Sequence, residues 1–139
     1  MTRSAWAWWI GAPLSLLASW GCGTWRESKK AATYGCVASL QAGLLSGQHL
    51  EAVAGGVGAD WIILSEAARR GVFSRIARER GIDCGAWDGK EPLLDNWKRP
   101  IRLAARRDPS GQVVGRVSSA GPDGIDATAD DIMVVESQP

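Results

Sequence analysis

Four aspartates stand within nine positions near the end of this chain: Asp123, Asp126, Asp130 and Asp131. Carboxylates this close repel one another unless a cation offsets their charge. Calcium does so well, because it accepts about six to eight oxygen ligands from carboxylates, backbone carbonyls and water in a flexible geometry. The spacing is not that of an EF-hand, which needs carboxylates at alternating positions and a glutamate at the twelfth. Two interpretations follow from the residues alone, a calcium site and a solvated acidic turn.

The elements around these aspartates must form a turn-rich loop and a strand. Gly121, Pro122 and Gly124 allow the backbone to fold sharply enough for carbonyl oxygens to point inward. An apolar run, "DIMVV", begins at Asp131 and predicts a final strand. The acidic loop would therefore join two strands of one sheet.

A hairpin is predicted immediately before the acidic loop. In "RPIRLAARR" the apolar residues Ile101, Leu103 and Ala105 alternate with Arg102, Ala104 and Arg106, which is the pattern of a half-buried strand. "DPSG" then supplies turn residues in preferred positions, and "QVVGRVSS" supplies the partner strand.

Helices are predicted in the first two thirds of the chain. "RESKKAATYGCVASLQAGLLSG" has small and apolar residues at a spacing of three to four, which predicts a helix. The glycine-rich "EAVAGGVGAD" indicates a loop, in which Ala52 and Val53 could extend a helix briefly. Ser65 is a suitable N-cap for a second helix that ends at Gly81, and Gly71 raises the alternative of two shorter helices. Helices followed by a small antiparallel sheet predict an α+β fold.

The N-terminal segment, residues 1–25, predicts a signal peptide or a membrane anchor. A short basic start precedes a long uncharged stretch rich in tryptophan, which favours membrane interfaces. Cleaved and uncleaved forms both stay open, and both export residues 26–139. Ser19 and Gly21 lie three residues and one residue before Cys22, so Cys22 is positioned for lipidation, as in a bacterial lipoprotein.

Two further cysteines fit an exported domain. Cys36 and Cys84 would pair in an oxidising compartment, and the alternative is two buried thiols. The chain has no cysteine and histidine spacing of the kind that binds zinc.

The charge pattern does not single out a nucleic-acid partner. The formal net charge is +1, although arginines concentrate between Arg69 and Arg107. These arginines could bind anionic lipid or nucleic acid, and the favoured alternative is a solvated helix face, part of which pairs with acidic residues of the tail. No enzyme is predicted either, because the serines lack a nucleophile elbow and the single histidine, His49, is expected at the surface.

The last third of the chain resembles the major pseudopilin of type II secretion systems. That family has a D-x-W-G-x-P motif before a strand, then an S-x-G-x-D-G loop that ends in an acidic pair and isoleucine. The residues that match are Asp95, Trp97, Pro100, Ser119, Gly121, Asp123, Gly124, Asp130, Asp131 and Ile132. Lys98 stands where the family has glycine, and the prepilin-peptidase site is not matched, since Gly11 is followed by "APLSLL" without a glutamate.

The resemblance implies a pseudopilin-like fold and a calcium loop at 118–132. The side-chain ligands would be Asp123, Asp130 and Asp131, and the backbone carbonyls of Ala120 and Thr128 would complete the shell. It further implies a non-enzymatic structural or accessory component of a secretion or pilus-like assembly, which contacts other subunits or copies of itself. Such a component lies on the periplasmic side of a bacterial membrane, anchored or lipid-attached through its N-terminus. The alternative is a free-standing exported protein that uses this head to bind a partner or an anionic surface.

Overall fold

The computed structural model describes residues 14–45, 49–85 and 87–134, with side chains described from residue 27 onward. The beginning of the predicted signal or anchor segment and the side chain of Cys22 lie outside the described residues.

Within the described residues, the fold consists of three helices and one antiparallel sheet. The four strands lie in the order β1-β2-β3-β4, so each strand pairs with its neighbours in sequence. The α+β prediction is confirmed. The elements are α1 (Leu14–Leu45), α2 (Glu51–Ala54), β1 (Ile62–Ile63), α3 (Glu66–Arg80), β2 (Arg102–Arg107), β3 (Val113–Ser119) and β4 (Ile132–Met133).

Helix α1 is the longest element, with 32 residues. It runs without a break across the predicted junction between residues 25 and 26. No helix among the described residues is both long enough and apolar enough to cross a membrane. The second half of α1 lies on the sheet, where Val37, Leu40 and Leu44 are buried.

A side chain of α1 completes the hydrogen bonding of β3. The Gln41 side-chain amide donates to the Gly115 carbonyl at 3.0 Å, and its oxygen accepts the Val117 N–H at 2.9 Å. These backbone groups lie on the side of β3 away from β2, before β4 begins to pair with Ser118 and Ser119. Gln41 thus makes the hydrogen bonds that a neighbouring strand would otherwise make.

Helix α3 has the predicted ends. Ser65 accepts the Ala68 N–H through its hydroxyl, and the Gly81 N–H donates to the Ala77 carbonyl with Gly81 at a φ of 72°. The helix is continuous through Gly71, so the alternative of two short helices is wrong. The predicted apolar stripe faces the core, because Leu64, Val72 and Ile76 are buried and Ala68 is partly buried.

The predicted hairpin is also present, with a register from Arg102↔Ser118 to Arg107↔Val113. Ile101, Leu103 and Ala105 are buried on its inner face. The two-residue strand β1, which the sequence did not predict, pairs with Ala104 and Ala105 at the edge of the sheet. So short a strand has no measurable periodicity in the sequence.

The structure joins Cys36 in α1 to Cys84 after α3 by a disulfide with a sequence separation of 48 residues. In the chain-entropy model a loop of this size stabilises the fold by about 4 kcal/mol. The bond ties the two main helices together at the edge of the core.

His49 corrects the sequence analysis. The expected surface position is wrong, because the residue is only 8% exposed. Its Nε2 lies 3.1 Å from Oε2 of Glu79 near the end of α3. The polar neighbours in sequence gave no indication that α3 would cover this side chain.

Candidate metal site in the acidic loop

The acidic loop, residues 120–131, joins β3 to β4. Ser119 pairs with Ile132, so the sheet brings the two ends of the loop together. Ser119 and Ala120 are buried at the beginning of the loop, whereas Asp123, Asp126 and Asp130 are exposed. The predicted ligands therefore share one loop with a fixed base, as the sequence pattern requires.

One hydroxyl brings two of the predicted ligands together. The Thr128 Oγ1 lies 2.9 Å from Oδ2 of Asp123 and 3.3 Å from Oδ1 of Asp131. It also lies 3.2 Å from the Ile125 carbonyl oxygen. A threonine hydroxyl has a single proton to donate, so three acceptors, two of them carboxylates, surround one donor. A bound cation would offset the negative charge that this single donor leaves unbalanced.

Backbone donors orient both carboxylates. Oδ1 of Asp123 accepts the Ile125 N–H at 2.9 Å, and Oδ2 of Asp131 accepts the Ala127 N–H at 2.8 Å. Ala127 has a φ of 59°, in the left-handed region. The loop backbone therefore holds one oxygen of each carboxylate and leaves the other directed at Thr128.

The remaining predicted ligands are arranged differently. Asp130 is exposed, and its carbonyl oxygen packs against the Cα of Gly121, where any β-carbon would collide with it. The Thr128 carbonyl accepts the Asp131 N–H at 3.2 Å. Closure of a full calcium shell would require the Asp130 side chain to turn inward. No group of three His, Cys, Asp or Glu residues within the described ranges is close enough to hold a metal ion as the loop stands.

Two arginines contact the loop, and the sequence analysis assigned neither of them there. The Arg99 guanidinium donates to the carbonyls of Gly121 at 2.8 Å and Pro122 at 3.2 Å. Arg102 on β2 pairs with Asp126. The charge of Asp126 is thus offset by a cation of the sheet. Its partner is close because the β2–β3 pairing sets Arg102 opposite Ser118, near the beginning of the loop.

The buried Asp95 fixes the backbone of the turn that precedes β2. Oδ1 of the buried Asp95 accepts the N–H groups of Trp97 at 2.9 Å and Arg99 at 3.0 Å. Lys98 has a φ of 64°, a left-handed conformation that glycine adopts most easily. Lysine therefore occupies a position whose backbone conformation favours glycine.

The oxygens around Thr128 are the kind of ligand that calcium binds, because they belong to carboxylates and a carbonyl and include no nitrogen or sulfur. No protein-family model, curated protein or solved structure matches this chain. The functional argument therefore rests on the residues of the loop and on their geometry.

Proposed function

We propose that this protein is an exported, non-enzymatic structural or accessory subunit of a type II secretion or pilus-like assembly, with a calcium-stabilised acidic loop. The observation that carries the proposal is the convergence of Asp123 and Asp131 on the Thr128 hydroxyl. These are two of the residues that the pseudopilin resemblance assigns to calcium. Their carboxylates meet with too few donors, and a divalent cation supplies the missing charge.

The disulfide and the sheet topology support the same proposal. A disulfide between Cys36 and Cys84 is typical of an oxidising compartment, as expected of an exported domain. Residues 119 and 132 pair directly, so a metal that fixes the loop also fixes the pairing of β3 with β4. The calcium would thereby stabilise the last edge of the sheet and the surface that it presents.

Calcium binding is tested by thermal unfolding of the full chain in a calcium buffer and in chelator. A ligand that binds only the folded state stabilises it by mass action, by about 2.7 kcal/mol at a concentration one hundred times its Kd. We expect calcium to raise the Tm by several degrees. The double variant Asp123→Ala with Asp131→Ala should lose this rise.

Asp126→Asn is the matched control, since it removes a carboxylate from the same loop that pairs with Arg102. It should lower the Tm in both buffers but keep the calcium response. A wild-type protein whose Tm is equal in calcium and chelator would refute the calcium site, as would a response that survives in the double variant.

The mature N-terminus separates the proposal from its alternative. Mass spectrometry of the protein from a bacterial host would find an acylated Cys22 in a free-standing lipoprotein. A methylated N-terminal residue would instead indicate the pilin-like route into an assembly.

A further inference from the structure

The Cys36–Cys84 disulfide forms part of the wall of a cavity of about 300 Å³. The other walls come from α1, from the segment that follows α3 and from the turn before β2. Asp83 and Leu94 line the cavity too, and both are exposed, Leu94 to 43%. The disulfide can therefore be approached from solvent along this cavity.

The two sulfurs of the bond are not equally accessible. Cys36 belongs to α1 and is only 5% exposed, within the core. Cys84 is partly buried and lies outside any helix or strand, and its neighbours Asp83 and Gly85 are both exposed. A thiolate breaks a disulfide by attacking one of its sulfurs, at a rate that depends on access to that sulfur. Cys84 is thus the sulfur that an incoming thiol reaches, and Cys36 is the leaving group.

Contacts other than the disulfide also hold the segment that carries Cys84. The Arg70 guanidinium donates to the Lys90 carbonyl at 2.9 Å, and the Asn96 side-chain amide donates to the Thr33 hydroxyl at 3.2 Å. These bonds attach the segment to α3 and to α1 independently of the sulfurs. Opening of the disulfide therefore does not require the segment to leave the rest of the fold.

One carboxylate gives the approach to the disulfide a negative charge. Asp83 precedes Cys84 in the chain, and its side chain lies against Gly35, which precedes Cys36. A β-carbon at Gly35 would lie only 3.2 Å from Oδ2 of Asp83. The charge is therefore close to both halves of the bond, where it repels anionic thiols and attracts cationic ones.

We infer that the Cys36–Cys84 disulfide is a thiol–disulfide exchange site of the folded protein, which takes a neutral or cationic dithiol through the cavity. The first thiolate of the dithiol bonds to Sγ of Cys84, the disulfide breaks, and Cys36 leaves as a thiolate that takes a proton from water. The second thiol of the reductant then loses its proton and displaces Cys84. Two electrons pass to the protein, and the dithiol becomes a disulfide. The inference depends neither on calcium nor on an assembly.

Reduction kinetics of the full chain test the exchange. Dithiothreitol is added without denaturant, and the free thiols are trapped with N-ethylmaleimide and counted by mass spectrometry. The rate should rise in proportion to the dithiothreitol concentration and change by less than about twofold in about 1 M urea. Reduction that required global unfolding would be about fivefold faster or more in that urea, and this result would overturn the inference.

The first mixed disulfide identifies the attacked sulfur. Cysteamine, a cationic monothiol, is added to the native protein, and the reaction is quenched early with acid. Peptide mass spectrometry should find cysteamine on Cys84 and a free thiol on Cys36. Cysteamine found mainly on Cys36 would contradict the assigned direction of attack.

The cavity is tested by a variant that narrows it. Leu94→Trp should slow reduction by at least about threefold, since exchange depends on access. Val53→Trp is the matched control, because Val53 is exposed to a similar extent (39%) and does not line the cavity. It should be reduced at the wild-type rate. Equal rates for wild type and Leu94→Trp would mean that the thiol does not enter by the cavity.

The charge preference is tested with two thiols of opposite charge at low salt. At equal thiolate concentration, wild type should react faster with cysteamine than with the anionic mercaptoethanesulfonate. Asp83→Asn should reduce the ratio of these rates by at least about threefold. Asp60→Asn is the control, since Asp60 is exposed and does not line the cavity, and it should keep the wild-type ratio. The same ratio in wild type and Asp83→Asn would refute the selection of thiols by charge.

Discussion

Asp95 and Ser119 form a buried hydrogen bond, in which the Ser119 hydroxyl donates to Oδ2 of Asp95 over 2.6 Å. Ser119 is the last residue of β3, and its hydroxyl oxygen also accepts the Gly121 N–H at 3.1 Å. Asp95 in turn holds the N–H groups of the turn that leads into β2. A single carboxylate therefore links this turn to the first residues of the acidic loop.

Removal of either partner should destabilise the protein. Ser119→Ala leaves one buried oxygen of Asp95 without its donor, and such a loss costs about 1–3 kcal/mol. Asp95→Ala removes the acceptor of two N–H groups and should lower the free energy of unfolding by more than Ser119→Ala does. Urea unfolding measures both losses. Since the two residues share one network, the double variant should cost less than the sum of the single variants.

Ser118→Ala is the matched control for this pair, because Ser118 is the adjacent residue and points to the other face of β3. Its effect should stay within about 0.5 kcal/mol. Equal losses from Ser118→Ala and Ser119→Ala would contradict the role assigned to the Asp95 network.

Lys98→Gly should leave the protein equally stable or stabilise it by up to about 1 kcal/mol. The left-handed conformation of Lys98 costs a residue with a β-carbon about 1 kcal/mol, while glycine avoids that cost but loses more chain entropy on folding. Lys98→Val should destabilise, because a β-branched side chain tolerates a positive φ least. Urea midpoints in the opposite order would mean that the turn does not have this conformation.

The elements with a clear period were predictable from the sequence. The alternation of Ile101, Leu103 and Ala105 placed β2 and its buried face, and Ser65 with Gly81 marked both ends of α3. These features depend only on local spacing and on capping chemistry, so residue types were sufficient to find them.

The site was predictable only in part. The spacing of the aspartates indicated one loop, and the structure brings Asp123, Thr128 and Asp131 together there. The contacts of Arg99 and Arg102 with the loop depend on where the paired strands place these side chains. The contacts of Arg106 and Arg116 with the Trp61 ring depend on β1, a strand of two residues. Such contacts join residues far apart in the chain, and no local pattern records them.

Gln41→Leu should expose the edge of β3. A leucine has a similar volume but cannot pair with the Gly115 carbonyl or the Val117 N–H, so both groups stay unsatisfied at a cost of about 1–3 kcal/mol each. Native-state hydrogen exchange should show faster exchange of the Val117 amide in this variant. The Leu64 amide, which donates to the Leu103 carbonyl on the other side of the sheet, is the internal control. Unchanged protection at Val117 would exclude the role given to Gln41.

Asp108 should make the stability of the hairpin depend on pH. The side-chain hydrogen bond from Ser110, at 2.6 Å, is the largest cause that lowers the pKa of Asp108, with backbone N–H donors of Gln112 and Ser110 adding to it. A depressed pKa stabilises the folded state above the unfolded pKa, and this contribution disappears as the pH falls through the folded value. Wild type should therefore have a higher Tm than Asp108→Asn at neutral pH, and the difference should shrink below about pH 4, near the ordinary pKa of aspartate. In Ser110→Ala the pKa of Asp108, followed by carboxyl carbon NMR, should rise toward its ordinary value. A pKa of Asp108 that is the same with and without the Ser110 hydroxyl would contradict this assignment.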